Sequence, residues 1–201
     1  MAIRTCFFDM GNVLVFFSHE RMVRNVAALA GWSEIRSRTF LIDEGRQWKL
    51  ERGEMSEDRF HAEFCESVGK TVDQTELLDA TADIFELNSS IIPVLQSLRA
   101  AGLRLVLLSN TSHAHIRFIE RRWTVLQLLH DRVTSYEVGA MKPDDRIFLA
   151  ALAKAECPSH ECFYTDDMAP FIEKAASFGI LGHQFTSTES LQAALVELRV
   201  L

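Results

Sequence analysis

Short apolar runs that end at polar residues recur along this chain, and segments with helical periodicity separate them. The runs cover residues 3–8, 103–108, 132–134, 162–165 and 181–185. Helical patterns lie between or after them, at residues 92–101, 145–155, 171–178 and 190–198. Strands that alternate with helices in this way favour a parallel sheet with helices on both faces. We therefore predict an α/β fold with a Rossmann-like, doubly wound parallel sheet.

Residues 18–88 have a different pattern. They show helical periodicity, as in Met22, Val26 and Leu29, and no convincing buried strand. We interpret them as a helical cap that is inserted after the first strand and lies above the carboxyl ends of the sheet, where parallel sheets bind ligands. This interpretation divides the chain into a core domain of residues 1–17 and 89–201 and a cap domain of residues 18–88.

The composition excludes several classes of protein. The 201 residues carry a formal net charge of −7, which argues against nonspecific binding to nucleic acid. Uncharged apolar stretches of about 18 residues, as a membrane span needs, are absent, and Asp9 interrupts the amino-terminal segment before a signal-peptide core can form. The four cysteines form no dense framework, so we expect reduced thiols and a cytoplasmic location. The oligomeric state is not predicted.

Side chains that can perform chemistry follow the predicted strands or lie in the loop before a helix. They are Asp9, Ser109, Asn110, Lys142, Asp166 and Asp167. Together they supply a carboxylate nucleophile, a hydroxyl and amide cradle for an anion, a cation and further acidic groups. This set suits phosphoryl transfer with a bound Mg²⁺.

Mg²⁺ prefers oxygen ligands in octahedral geometry. Asp9 and Asp167 can each supply a carboxylate oxygen, and the backbone carbonyl of Gly11 can supply a third. Lys142 would add positive charge beside the transferring group, while Ser109 would hold phosphoryl oxygens. A carboxylate nucleophile forms an acyl-phosphate, which water then hydrolyses.

Four ordered motifs resemble those of the haloacid dehalogenase-like hydrolase superfamily. They are FFDMGNVL at residues 7–14, LLSNT at 107–111, GAMKPD at 139–144 and FYTDD at 163–167. The predicted insertion is similar to the small helical cap of that superfamily. Within it, ERGEMS at residues 51–56 resembles the cap of the sugar-phosphatase-like branch, which includes a glucose-1-phosphate phosphatase. The first motif of that branch also carries Asp-x-Gly-Asn.

The resemblance implies a Mg²⁺-dependent phosphatase of small phosphorylated metabolites, with sugar phosphates as the leading candidates, that acts through an aspartyl-phosphate. It implies that Asp9 is the nucleophile, Lys142 the orienting cation and Ser109 the phosphate-binding hydroxyl, with Asn110 lending its backbone amide. The implied metal ligands are Asp9, the Gly11 carbonyl and Asp167, with Asp166 as an auxiliary acid.

Two candidate binding residues lie in the cap stretch. We predict that Gln47 and Trp48 line the substrate entrance, although Trp48 is equally compatible with the core of the cap. His113 and His115 are expected on a helix surface, because residues two apart on a helix do not share a face.

Two positions depart from the superfamily pattern. Most of its phosphatases have a second Asp two residues after the nucleophile, which protonates the leaving oxygen and later activates water, but this chain has Gly11 there. Losing a positioned general acid and base typically removes ~10²–10⁴ in rate. Pro170 and Phe171 stand where polar residues usually support the water shell of the metal.

These departures keep two alternatives open. The first is a catalytically weak or inactive protein that binds or regulates, and the second, less favoured, is a 2-haloacid dehalogenase that uses Asp9 without metal. If the phosphatase hypothesis holds, another group must supply the proton, and the cap offers His19 and Glu51. We also expect that an acid added at Gly11 raises turnover on alkyl phosphates where the pocket tolerates it.

Overall fold

A five-stranded parallel sheet forms the centre of the computed structural model, which describes residues 2–201. The strands are β1 (Thr5–Phe8), β2 (Val15–Phe17), β3 (Phe85–Leu87), β4 (Arg104–Ser109), β5 (Asp131–Thr134), β6 (Cys162–Asp166) and β7 (Leu181–Gln184). The order in the sheet is β5-β4-β1-β6-β7, and β1 pairs in parallel with both β4 and β6. The predicted doubly wound parallel sheet is therefore confirmed.

Helices cover both faces of this sheet. The α-helices in chain order, including those of the insertion described below, are α1 (His19–Ala30), α2 (Glu34–Arg38), α3 (Arg46–Glu51), α4 (Glu57–Val68), α5 (Gln74–Ala82), α6 (Ile91–Ala100), α7 (His113–Arg122), α8 (Ser135–Val138), α9 (Asp145–Ala153), α10 (Ala169–Ser177) and α11 (Thr188–Glu197). Neighbouring strand residues point to opposite faces. Phe8 accordingly belongs to a cluster with residues of α6, α7 and α11, whereas Phe7 belongs to a second cluster with residues of α9 and α10.

The insertion between β2 and β3 contains α1 to α5 and a π-helical turn, Thr39–Asp43. β2 and β3 pair with each other as an antiparallel ribbon, with Phe17 opposite Phe85. The sequence did not predict β3, because Phe85 is its one fully buried residue and three residues are too few for a recognisable pattern. The division of the chain into two domains at residues 18 and 88 stays a prediction.

The insertion is packed against the core rather than joined to it by loops alone. Phe60 and Phe64 of α4 belong to the same continuous hydrophobic cluster as Phe8 of β1 and Leu105 of β4. The insertion is therefore held by hydrophobic packing above the carboxyl edge of the sheet. Among residues 2–201, helices long and apolar enough to cross a bilayer are absent.

Candidate active site

The loops after β1, β4 and β6 meet beneath the insertion and enclose a cavity of about 400 Å³. The loops of the core line it with Asp9, Met10, Gly11, Asn12, Asn110, Met141, Lys142, Asp167, Met168 and Phe171. The ribbon, the cap and α7 line it with Phe17, His19, Trp48, Glu51, Ile84, Phe85 and His115. The carboxyl edge of the sheet thus gathers most of the predicted site residues, as parallel sheets do at their ligand sites.

Lys142 is the buried cation of this site. Its Nζ lies 2.8 Å from Oδ1 of Asp9 and 2.6 Å from Oδ2 of Asp166. Nζ also donates to the carbonyl oxygen of Leu108 at 3.1 Å and to the hydroxyl of Tyr164 at 3.0 Å. Burial lowers the pKa of Lys142, but the two carboxylates raise it by more, so the net shift is upward. Lys142 is therefore an ammonium held in place by four oxygens.

Asp9 is buried at the end of β1, where its carboxyl group has lost most of its water. This burial raises the pKa of Asp9 to about 7, the adjacent Lys142 lowers it and the charge of Asp166 raises it again. The charge of Asp9 therefore depends on nearby cations. A positive charge in the cavity favours the carboxylate, which is the form that can act as a nucleophile.

Asp9, Asp166 and Asp167 each offer a carboxylate oxygen within 4.8 Å of the others. Asp166 is fully buried, and both of its oxygens are engaged: Oδ2 by Lys142 and the Tyr164 hydroxyl, and Oδ1 by the backbone N–H of Met168 at 2.8 Å. Asp9 and Asp167, by contrast, line the cavity. Hard oxygen donors grouped in this way fit Mg²⁺, and the geometry makes Asp9 and Asp167 better ligand candidates than Asp166.

Asn12 fixes the orientation of Asp167. Its Nδ2 donates to Oδ2 of Asp167 at 2.9 Å, across the gap between the β1 and β6 loops. Asn12 has a positive φ of 57°, which asparagine tolerates better than most residues, and its N–H donates to the carbonyl oxygen of Val15 at 2.7 Å. The tight turn of the first motif thereby places the Asn12 side chain where it donates to Asp167, 155 residues further along the chain.

Asn110 joins the loop after β4 to the loop that carries Lys142. Its Oδ1 accepts from the backbone N–H of Lys142 at 2.7 Å, and its Nδ2 donates to the carbonyl oxygen of Lys142 at 3.2 Å. Ser109 is almost fully buried, and its hydroxyl contacts the carbonyl oxygen of Asn110 at 3.4 Å. Ser109 lies just behind the cavity wall, whereas Asn110 forms part of that wall.

The cap brings one of its two predicted binding residues to the cavity. Trp48 lines it and packs edge-on against His19, with the ring centres 5.5 Å apart. His19 in turn packs against Phe17, with the ring centres 5.2 Å apart. Gln47 is buried and instead borders a neighbouring cavity between the cap and the core. Its Nε2 donates to Oε1 of Glu51 at 2.9 Å, so it contacts the site only through Glu51.

Two buried titratable groups face the same cavity from outside the core loops. Burial raises the pKa of Glu51 to about 7, while the hydrogen bond from Gln47 lowers it. Burial lowers the pKa of His115 to about 4. The prediction that His115 is a surface histidine is therefore wrong, since it is buried against Phe85 with its rings 5.1 Å apart.

Sequence reasoning missed the roles of three side chains around this site. Tyr164 reads as an ordinary strand residue, yet its hydroxyl contacts both Lys142 and Asp166. The ring of Phe17 lies over Gly11, with Cε1 2.9 Å from the place where a Cβ would stand. Phe171, which replaces a usual polar residue, has its ring centre 5.1 Å from Nζ of Lys142. The alternation along β6 places Tyr164 and Asp166 on one face, which was the available signal for Tyr164.

The profile of the haloacid dehalogenase-like hydrolase family matches residues 3–179. Among solved structures, a predicted HAD-like family hydrolase from Porphyromonas gingivalis shares 26% sequence identity, with a TM-score of 0.81 over 99% of this chain and 98% of the other.

Two further structures have the same fold at lower sequence identity. One is a HAD family enzyme from Bacteroides thetaiotaomicron, a mutant in complex with magnesium and inorganic phosphate, with 23% identity and a TM-score of 0.79 over 91% of this chain and 94% of the other. The other is a HAD phosphatase from Thermococcus onnurineus, with 17% identity and a TM-score of 0.67 over 96% of this chain and 98% of the other.

Proposed function

The chain belongs to the haloacid dehalogenase-like hydrolase family, and from that premise we propose that it is a Mg²⁺-dependent phosphatase of small phosphorylated metabolites. The observation that carries the proposal is the convergence of Asp9, Asp167 and Lys142 on one cavity at the carboxyl edge of the sheet. The magnesium and phosphate complex of the Bacteroides enzyme supports the same chemistry.

In this proposal Asp9 attacks the phosphorus atom. A bond forms between a carboxylate oxygen of Asp9 and phosphorus, the bond between phosphorus and the ester oxygen breaks, and that oxygen leaves with a proton. Water then hydrolyses the aspartyl-phosphate and restores Asp9. Lys142, 2.8 Å from Asp9, holds the nucleophile in place and offsets negative charge on the transferring group.

The remaining predicted residues have supporting roles in this proposal. Asp9, Asp167 and the carbonyl of Gly11 would hold Mg²⁺, and Asp166 would fix Lys142. Bound there, the metal would offset the repulsion between Asp9 and the phosphate oxygens. Asn110 would hold phosphoryl oxygens through its backbone amide, while its side chain keeps the Lys142 loop in position. Ser109 would be the phosphate-binding hydroxyl, although its side chain lies just behind the cavity wall.

The leaving group would occupy the cap side of the cavity. The side chains there are mainly apolar or aromatic, among them Phe17, Trp48 and Phe85. Such a surface suits a compact leaving group with at least one apolar face, which sugar rings and aryl rings both have. We therefore keep sugar phosphates as the leading natural candidates and use aryl phosphates as probes.

The test is hydrolysis of p-nitrophenyl phosphate with Mg²⁺, compared between the wild-type protein, Asp9→Asn and an Asp43→Asn control. Asp43 is an exposed acid of the cap, so its change leaves the cavity intact. We expect activity in the wild type and the control, and its loss in Asp9→Asn or on chelation. A screen of sugar phosphates then orders the natural candidates.

Two other outcomes would overturn the proposal. Halide release from 2-chloropropionate that survives chelation would establish a dehalogenase, although Asp166 and Asp167 argue against that outcome. Binding of inorganic phosphate by a folded protein that hydrolyses no phosphate ester would establish a binding protein, the alternative suggested by Gly11 and Phe171.

A further inference from the structure

Hydrolysis of an alkyl phosphate needs a proton donor for the leaving oxygen, and position 11 cannot supply one. Gly11 has no side chain, and the Phe17 ring occupies the adjacent space, with Cε1 2.9 Å and Cδ1 3.2 Å from an ideal Cβ. The missing acid is thus replaced by a packed aromatic ring rather than by an open gap. Any donor must come from another wall of the cavity.

Three titratable groups line the cavity outside the network of Asp9, Lys142 and Asp167: His19, Glu51 and His115. Burial lowers the pKa of both histidines, to about 4 for His115, and so favours their neutral forms, which are poor proton donors. Glu51 is the remaining candidate. Its carboxyl group is buried at the end of α3, and Glu51 lines the cavity from the cap.

We propose that Glu51 protonates the leaving oxygen and, as the resulting carboxylate, accepts a proton from the water that hydrolyses the aspartyl-phosphate. This inference rests on the proposed phosphatase function. Gln47 donates to Oε1 of Glu51 at 2.9 Å, which assigns the transferable proton to Oε2. The proton passes from Oε2 to the ester oxygen in the first step and returns from water in the second, so the cycle balances.

The surroundings of Glu51 suit this task. Burial is the largest influence and raises the pKa of Glu51 to about 7, Gln47 and Arg52 lower it, and Asp9 raises it. A group with a pKa near the working pH is the most effective proton donor and acceptor. Gln47 is therefore a positioning residue, which acts through its hydrogen bond to Glu51.

The test compares phenyl phosphate with p-nitrophenyl phosphate, which have similar shapes but different needs for leaving-group protonation. In Glu51→Gln we expect kcat/KM, which depends only on the steps up to departure of the leaving group, to fall by about 10²–10⁴-fold on phenyl phosphate and by less than about 10-fold on p-nitrophenyl phosphate. The alkaline limb of the wild-type pH profile should also disappear. Glu51→Asp should recover part of the loss.

Two further measurements report on the protonation of Glu51, the first of them without turnover. The infrared difference between the wild-type protein and Glu51→Gln should contain a protonated-carboxyl band that fades as pH rises through about 7. Gln47→Leu removes the hydrogen bond that lowers the pKa of Glu51, so it should move the alkaline limb to higher pH.

Equal losses of kcat/KM on both substrates in Glu51→Gln, or a leaving-group dependence of kcat/KM that follows His19→Gln instead, would overturn the assignment to Glu51. Either result leaves the phosphatase proposal standing, because the wild type still hydrolyses both esters. Failure of the wild type on both esters, with Asp9→Asn indistinguishable from it, would instead overturn the phosphatase proposal.

Discussion

At the scale of single residues, the contact between Gly11 and Phe17 decides how this site can be re-engineered. The sequence predicts that an acid at position 11 raises turnover, but the Phe17 ring stands in the way. The φ of Gly11 is not in the positive region, so its backbone accepts a side chain and the ring is the main obstacle. Overpacking of this kind costs about 1–3 kcal/mol.

We therefore predict that Gly11→Asp alone lowers stability without raising turnover. In a Glu51→Gln background, Gly11→Asp combined with Phe17→Ala should raise the hydrolysis of phenyl phosphate by about 10-fold or more, since the new carboxyl group can reach the leaving oxygen. The matched control is Glu51→Gln with Phe17→Ala. Equal rates in the two proteins would show that position 11 does not face the leaving oxygen.

Glu51 also makes a prediction about stability. Its pKa is about 7 when folded, against an ordinary value of 4.5, so the unfolded chain loses this proton first as pH rises. The contribution of the protonated group is complete below about pH 4.5, is lost progressively up to about pH 7 and stays lost above it. The free energy of unfolding of the wild type relative to Glu51→Gln should fall by about 3 kcal/mol across this window.

Urea unfolding of the two proteins at several values between pH 4.5 and pH 8 measures this difference. Asp9, whose pKa is also raised by burial, is present in both proteins, so its effect largely cancels. Stability curves that remain parallel across the window would show that Glu51 ionises at its ordinary pKa and is not buried as described.

At the scale of elements, the loops that bear the site are held together by side chains rather than by the sheet. Asn110 connects the loop after β4 to the Lys142 loop through two hydrogen bonds, with both partner atoms on the Lys142 backbone. Asn110→Ala should cost about 1–3 kcal/mol of stability, because it leaves a backbone N–H and a carbonyl without these partners.

Asn110→Ala should also reduce kcat on p-nitrophenyl phosphate, because Lys142 would no longer be aligned with Asp9. Thermal unfolding and single-substrate kinetics measure the two effects. If Asn110→Ala lowers stability but leaves kcat intact, the Lys142 loop is positioned by its buried ion pairs alone.

Five strands and four helices of the core could be predicted because apolar runs with the right period end at polar residues. The bounds differ from the observed ones by no more than two residues. β2 and β3 were missed because strands of three residues have no period to detect. Within the site, Asp9 and Asp167 could be predicted as candidates because they follow strand ends. The contacts of Tyr164 and Phe17, by contrast, arise from tertiary packing. Such contacts join residues whose local patterns are those of ordinary core positions, so sequence patterning has no means of assigning them.

At the scale of the whole molecule, the balance of charge in the cavity sets what can bind there. Asp9 and Asp167 line it as acids, and Lys142 is the cation among the lining residues. The chain as a whole carries a net charge of −7. The carboxylates therefore repel an anionic phosphate until a dication offsets their charge. We accordingly expect binding of inorganic phosphate to depend on Mg²⁺.

This dependence should appear in the stability of the entire chain, because one hydrophobic cluster runs from the sheet into the cap and favours a single unfolding transition. A ligand at 100 times its Kd stabilises the folded state by about 2.7 kcal/mol. For a chain of this size, that corresponds to a rise in Tm of about 5–10 °C.

We expect Mg²⁺ to produce such a rise in the wild type and in Asp43→Asn, but a rise below about 2 °C in Asp167→Asn, which loses a candidate ligand. Inorganic phosphate should add to the rise only when Mg²⁺ is present. An equal Mg²⁺ effect in Asp167→Asn would move the metal away from the β6 loop, and stabilisation by phosphate alone would mean that the protein itself supplies the positive charge that we assign to the metal.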